Sequence, residues 1–312
     1  MNWLTVALTA YLLLAIANLL DKFLVDNVLK SSKAYAFING MMGLLVFVVA
    51  PWFLNWPGLF WFSFDIFSGF LFALALWSLY EALKQGDASR VLVFIGGLTP
   101  VFSIILSILL FQEKFSANQW LGLGFMLLGV SLIAFLPQPR NFLWRFLGKL
   151  GLKKVNFRAG IDIAIVSALF YSLYFVATKH AYNYQPFVST FLWTRLGAAF
   201  FVSLFLFNKK NRLDILDLFK KKTPTKNQSL VVLNQALGSS GFLLQNYAIS
   251  LGSVAIINAL QGFQYAFLLI ISSVLAVLAP KLLKETFSWP IILQKTGAVL
   301  LIGIGLYFIA LA

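Results

Sequence analysis

Arg195 is the lone charged residue of a long apolar run from Phe187 to Phe207. As a helix that run places it about nine residues in, roughly 13 Å from the start at about 1.5 Å per residue. A charge at such depth in an apolar environment is costly, so it normally faces a helix-bundle interior or a water-filled cavity. Two uses stay open: a guanidinium that binds an anion or gates a path, or one that bonds carbonyls and snorkels along its own helix. Lys22, Lys179 with its neighbour His180, and Lys295 raise the same choice nearer the ends of their apolar runs. Polar side chains also recur at helical spacing, which puts them on shared faces. Tyr11, Asn18 and Lys22 form one stripe; Ser167, Tyr171, Tyr174 and Thr178 form a second; Asn258, Gln261 and Tyr265 form a third, with Gln264 alongside. Asn234, Gln235, Gln245 and Asn246 crowd another segment. Such amides and hydroxyls can hold the zwitterionic or hydroxylated parts of a solute, or tie helices together at about 0.6 kcal/mol each. The density of amides from Asn258 to Gln264 favours a cavity face. The expected substrate contacts are therefore Arg195, Asn258, Gln261 and Tyr265, backed by Tyr174, Asn18 and Gln245.

Covalent and metal chemistry are poorly provided for. Cysteine is absent and His180 is the single histidine, which leaves no thiol nucleophile, no disulfide and no His cluster for a transition metal. The sequence contains no Gly-x-Ser-x-Gly elbow, no P-loop and no dinucleotide-binding glycine pattern. Glu81, Glu113, Asp162 and Glu285 sit near the ends of apolar runs. No catalytic residue, metal or cofactor is expected, and the chain does not read as an enzyme.

The elements that must position these residues are membrane helices. The chain is 61% hydrophobic and 11% charged, against about a quarter charged in a soluble domain. Crossing about 30 Å of hydrocarbon takes about 20 apolar residues. Ten segments qualify, near 3–20, 34–54, 64–84, 89–111, 117–136, 159–180, 187–207, 229–250, 254–279 and 289–311. Strand-like alternation is missing, which excludes a β-barrel. The first segment has signal-peptide length and an Ala15-Ile16-Ala17 sequence, but Met1-Asn2-Trp3 supplies no basic leader, so a retained helix is expected.

The net charge of +14 sits mainly in two connections. Between 137 and 158, Phe142, Trp144, Phe146 and Leu150 interleave with Arg and Lys, which fits either an interfacial helix or a plain linker. The second basic connection runs from Asn208 to Gln228. Basic residues flanking apolar spans report topology rather than a nucleic-acid partner. About twenty of the 24 Lys and Arg fall in the odd-numbered connections, which places those loops in the cytoplasm and both termini outside.

The pattern is duplicated. Glu81-Ala82-Leu83-Lys84-Gln85-Gly86 is echoed by Tyr247-Ala248-Ile249-Ser250-Leu251-Gly252, and Glu113-Lys114-Phe115-Ser116 by Glu285-Thr286-Phe287-Ser288. With five helices per copy, the second copy enters the membrane upside down, as an inverted repeat. The run Tyr80 to Ser89, then Thr99-Pro100-Val101-Phe102, Gln112 to Ser116, Gln119-Trp120-Leu121-Gly122 and Gly129 resembles an EamA domain, the repeat unit of the drug/metabolite transporter superfamily. The second copy is looser, with Ala266 in place of Pro100. The resemblance implies an all-α integral membrane protein with ten transmembrane helices as a 5+5 inverted repeat. It divides the chain into repeat 1–136, linker 137–158 and repeat 159–312. It further implies a multi-pass protein of the cell (inner) membrane, monomer or homodimer, that exports small polar metabolites of amino-acid or nucleoside type by alternating access. Similar family members have both termini in the cytoplasm, opposite to the charge count. Nothing matches the first-helix Glu that related small multidrug exporters use for proton exchange, which disfavours proton-coupled cation export, and the surplus of cationic residues within the spans points toward neutral, zwitterionic or anionic solutes. A lipid or lipid-linked carrier flippase, a membrane enzyme and a non-transporting scaffold are the competing readings. Gln261, Gln264 and Tyr265 stand where the first copy has its Gly-Gly-Leu-Thr-Pro motif, so substrate contacts are expected mainly from the second half.

Overall fold

A computed structural model describes residues 2–28, 31–85, 88–134, 160–220, 225–278 and 289–311. Among them all regular structure is helical: α1 (Trp3–Val28), α2 (Ser32–Met42), α3 (Ala50–Phe53), α4 (Leu59–Gln85), α5 (Ala88–Phe111), α6 (Ala117–Ala134) and α7 (Ile161–Tyr182). The remainder is α8 (Phe187–Ser203), α9 (Lys209–Lys220), α10 (Thr225–Leu251), α11 (Val254–Ala259), α12 (Gln261–Leu278) and α13 (Trp289–Ala310). Five helical stretches are long and apolar enough to cross a membrane: Ser32–Phe53, Leu59–Gln85, Phe94–Phe111, Asp162–Tyr182 and Phe187–Phe207. Shorter apolar helical stretches lie at Trp3–Asn18, Ala117–Leu132, Val254–Leu268 and Thr296–Ile309. Outward side chains such as Val48, Phe60 and Leu109 are large, apolar and about 70% exposed or more, which suits a hydrocarbon surrounding in which only closed backbone ladders survive. The linker 137–158 lies outside the described residues, as do Glu285 to Ser288 and the side chains of Lys22, Tyr265 and Lys295.

Two segments depart from the single helices expected. The segment 34–54 is α2, then a 3-10 stretch Gly43–Val49, then α3. Runs of 3-10 longer than three or four residues are uncommon. This one lies against Arg195, since a Cβ built on Gly43 would stand 3.4 Å from its Cδ. The segment 254–279 is broken at Leu260 between α11 and α12. At that break the Tyr11 hydroxyl donates to the Ile257 carbonyl oxygen at 2.6 Å, satisfying an acceptor that would be costly to leave bare in an apolar interior. The basic connection after α8 also carries a helix, α9, which packs on α2 and buries Ile215.

α1 packs along α10, α4 along both α7 and α8, α5 against α7 and α11, α2 against α8, and α6 against α13. The α4–α8 crossing is the tightest. A Cβ on Gly69 would collide with the Thr194 carbonyl oxygen, and one on Gly197 with the Ile66 carbonyl oxygen. Backbones approach that closely only where side chains are missing. Hydrogen bonds define the two ends of the bundle. At the end where α4 begins, Gln185 Nε2 donates to Asp65 Oδ1 at 3.3 Å, and Ser189 Oγ and Trp193 Nε1 both donate to the Asn55 carbonyl oxygen at 3.0 Å. At the other end, Ser32 Oγ donates to Glu81 Oε2 at 2.5 Å.

Candidate functional site

A cavity of about 200 Å³ lies between α1, α2, α4, α7, α8 and α10. It reaches from Arg195, near the middle of α8, toward the Glu81 end, where Tyr35, Asn39, Tyr80 and Gln235 line it. These four are linked. Asn39 Nδ2 donates to the Tyr80 hydroxyl at 2.8 Å, Gln235 Nε2 donates to Asn39 Oδ1 at 3.2 Å, and the Tyr35 and Tyr80 rings meet edge to face at 4.5 Å. Asn18, Asn234 and Ser239 complete the polar wall, and Leu14, Val46 and Leu76 the apolar one.

Arg195 is 5% exposed and held by aromatic rings rather than by a carboxylate. Its guanidinium carbon stands 4.0 Å from the centroid of Phe72 and 4.9 Å from those of Phe191 and Phe242. Desolvated cation–π contacts of this kind stabilise a cation by about 2 kcal/mol, which offsets part of the cost of burying it. Nη2 donates to the Tyr174 hydroxyl at 2.7 Å, and Nε has no partner. Tyr174 passes the bond on to Asn246 Oδ1 at 2.9 Å, where the Tyr182 hydroxyl also donates at 3.2 Å. The network thus runs from the cavity toward the Asp65 end. On that side the packing is continuous: Tyr11, Tyr174, Leu192 and Asn246 are fully buried. The cavity therefore reaches Arg195 from one end of the bundle and is sealed at the other.

The residues singled out in the sequence separate into three groups. Arg195 and Asn18 line the cavity, and Tyr174 lies directly behind Arg195. Gln245 Nε2 donates to the Tyr11 hydroxyl at 3.4 Å, within the sealed side. Asn258 is fully buried against α5, where its Nδ2 donates to Ser103 Oγ at 2.8 Å, and neither it nor the half-buried Gln261 lines the cavity. The helix break at Leu260 explains this, because residues on either side of it no longer share a face. Lys179 Nζ donates to the Ser250 carbonyl oxygen at 3.2 Å, and His180 is ringed by Trp61, Phe64 and Tyr184. The expected weighting toward the second half is also not seen among the described residues, since α1, α2 and α4 supply as much of the wall as α7, α8 and α10.

Sequence reasoning missed Tyr35, Asn39 and Asp65. Asn39 belongs to no polar stripe, and only its partners Tyr80 and Gln235 mark it. Asp65 is fully buried in α4, with one carboxyl oxygen lacking a partner beside Gln185, whose Oε1 also lacks one. Its signal was available, as an acid inside the apolar run of α4. Among the described residues no group of three His, Cys, Asp or Glu side chains could hold a metal ion.

Comparison with known proteins agrees with this architecture. "Uncharacterized transporter YdfC" of Bacillus subtilis (strain 168) is 29% identical over 167 residues, 51% of this chain and 48% of that protein. The chain thus spans about half the length of the curated relative it matches. A solved structure described as "Crystal structure of protein" superposes with a TM-score of 0.64 at 17% identity, covering 98% of this chain and 96% of the other, and shares its fold. The profile of the EamA-like transporter family matches twice, over residues 1–135 and 158–311. The chain is a multi-pass membrane protein and belongs to the EamA-like transporter family of the drug/metabolite transporter superfamily.

Proposed function

We propose that the chain carries small polar metabolites, on the scale of amino acids or nucleosides, across the cell membrane by alternating access. The observation that carries this reading is the polar cavity that reaches the buried Arg195 from the Glu81 end while the Asp65 end is packed shut. Ten spans in a 5+5 inverted repeat, with residues 1–136 and 159–312 as the two copies, account for the packing. Exchanging the halves turns α1 with α10 into α7 with α4, and α1 with α12 into α7 with α5, and all four pairs are in contact. The pairs α2 with α8, α5 with α11 and α6 with α13 map onto themselves.

The largest departure from the exchange is at the α4–α8 crossing. α4 and α8 interlock at Gly69 and Gly197, whereas among the described residues their counterparts α2 and α10 do not pack closely and hold the cavity between them. Closing α2 on α10 and parting α4 from α8 would move the opening to the Asp65 end, with Arg195 as the fixed point. The Glu81 end carries the basic connections, which the positive-inside rule places in the cytoplasm. Loading from that side supports export. A single chain contains the whole path, so a monomer suffices as the transport unit.

The test is uptake into proteoliposomes across a metabolite panel. Arg195→Ala is expected to abolish or redirect transport while size-exclusion behaviour stays native; unchanged kinetics for every solute would overturn the assignment.

A further inference from the structure

We infer that the cavity selects a small organic monoanion, a carboxylate head on an uncharged hydrogen-bonding body such as a short hydroxy acid. This rests on the transport reading and narrows its substrate class. Arg195 is the one charged side chain among the described residues that line the cavity. A buried cation with no counter-charge leaves a net positive site, and one carboxylate neutralises it. The guanidinium is fixed for that task. Phe72, Phe191 and Phe242 hold its plane, and Tyr174 takes one N–H while Nε–H has no partner. A planar guanidinium with an unpartnered N–H matches a carboxylate in geometry and charge.

The rest of the wall fixes the rest of the solute. Asn39, Tyr80, Gln235, Asn18 and Ser239 offer neutral donors and acceptors toward the Glu81 end, which suit hydroxyl or keto oxygens. No Asp or Glu among the described residues lines the cavity, so the ammonium of an amino acid has no counter-ion there. The phenylalanine rings nearest Arg195, Phe72, Phe191 and Phe242, are already engaged by its guanidinium. A phosphate dianion would leave a negative charge in an apolar bundle. The volume of about 200 Å³ is below the range of about 300–1,000 Å³ typical of drug-sized ligands, which sets a small solute. Paired with Arg195, the carboxylate is held at mid-membrane without an uncompensated charge while the opening changes sides.

The experiment compares matched solutes in proteoliposomes: short hydroxycarboxylates, their uncharged amides, the corresponding amino acids, and inorganic phosphate. The expected result is saturable uptake of a hydroxycarboxylate about tenfold or more above its amide, as loss of a charge-assisted pair predicts. Phosphate and amino acid are expected near background. Arg195→Gln should collapse the carboxylate preference, and Arg195→Lys should keep part of it. Uptake of an amide or amino acid as fast as the hydroxycarboxylate would overturn the anion assignment and leave transport standing. Uptake of nucleosides alone would likewise overturn the anion assignment and leave transport standing, and absence of uptake for this panel and for nucleosides with folded wild-type protein would overturn both.

Discussion

At the scale of single residues, the organising fact is that two buried ionisable groups are treated differently. Arg195 has three rings and a tyrosine hydroxyl around it, while Asp65 has one long bond from Gln185. A buried polar group without its full set of partners costs about 1–3 kcal/mol. Asp65→Asn keeps the shape and supplies an amide donor beside the unpartnered Gln185 Oε1. Its expected effect is a melting temperature in detergent equal to or above wild type, by up to about 1 kcal/mol of added stability. A clear drop would mean that the carboxyl makes a stabilising contact that an amide cannot replace. Arg195 was legible from sequence because a lone charge in an apolar run has few explanations. Asn39 was not, because its role comes from two partners on other helices, Tyr80 and Gln235.

At the scale of elements, regular helices set the frame and irregular ones set the site. The 3-10 stretch Gly43–Val49 and the break at Leu260 are where the sequence pattern misleads. Asn258, Gln261 and Tyr265 share a face only on an unbroken helix, and the break removes that premise. Span existence was readable from apolar length alone, since it depends on summed transfer energy; which face turns inward depends on partners the sequence does not order. The α4–α8 crossing gives a direct check of packing. Gly69→Ala and Gly197→Ala should each lose about 1–3 kcal/mol of stability through overpacking, read as thermal unfolding in detergent. Gly124→Ala and Gly303→Ala, with open space around them, should be near neutral. Equal effects at all four positions would contradict the close approach of α4 and α8.

At the scale of the whole molecule, the duplication sets the architecture and the charge bias predicts its orientation. The repeat was visible in the two copies of the Glu-x-Phe-Ser motif, and the family profile matches both halves. By the positive-inside rule the charge bias predicts both termini outside. A C-terminal alkaline phosphatase fusion is therefore expected to be active and a green-fluorescent fusion dim; the reverse would place the Glu81 end outside and turn the proposed direction round.

Alternating access is tested most directly by site accessibility, which the absence of cysteine makes clean. Ser239→Cys sits exposed on the cavity wall, and Thr190→Cys sits fully buried at the start of α8 on the sealed side. With an impermeant maleimide applied to sealed proteoliposomes of known orientation, Ser239→Cys should label from the Glu81 side. Thr190→Cys should label only from the Asp65 side, slowly, and faster when a transported solute is supplied. Labelling of Ser239→Cys at equal rates from both sides, or no labelling of Thr190→Cys under any solute gradient, would contradict a cavity that opens to each side in turn.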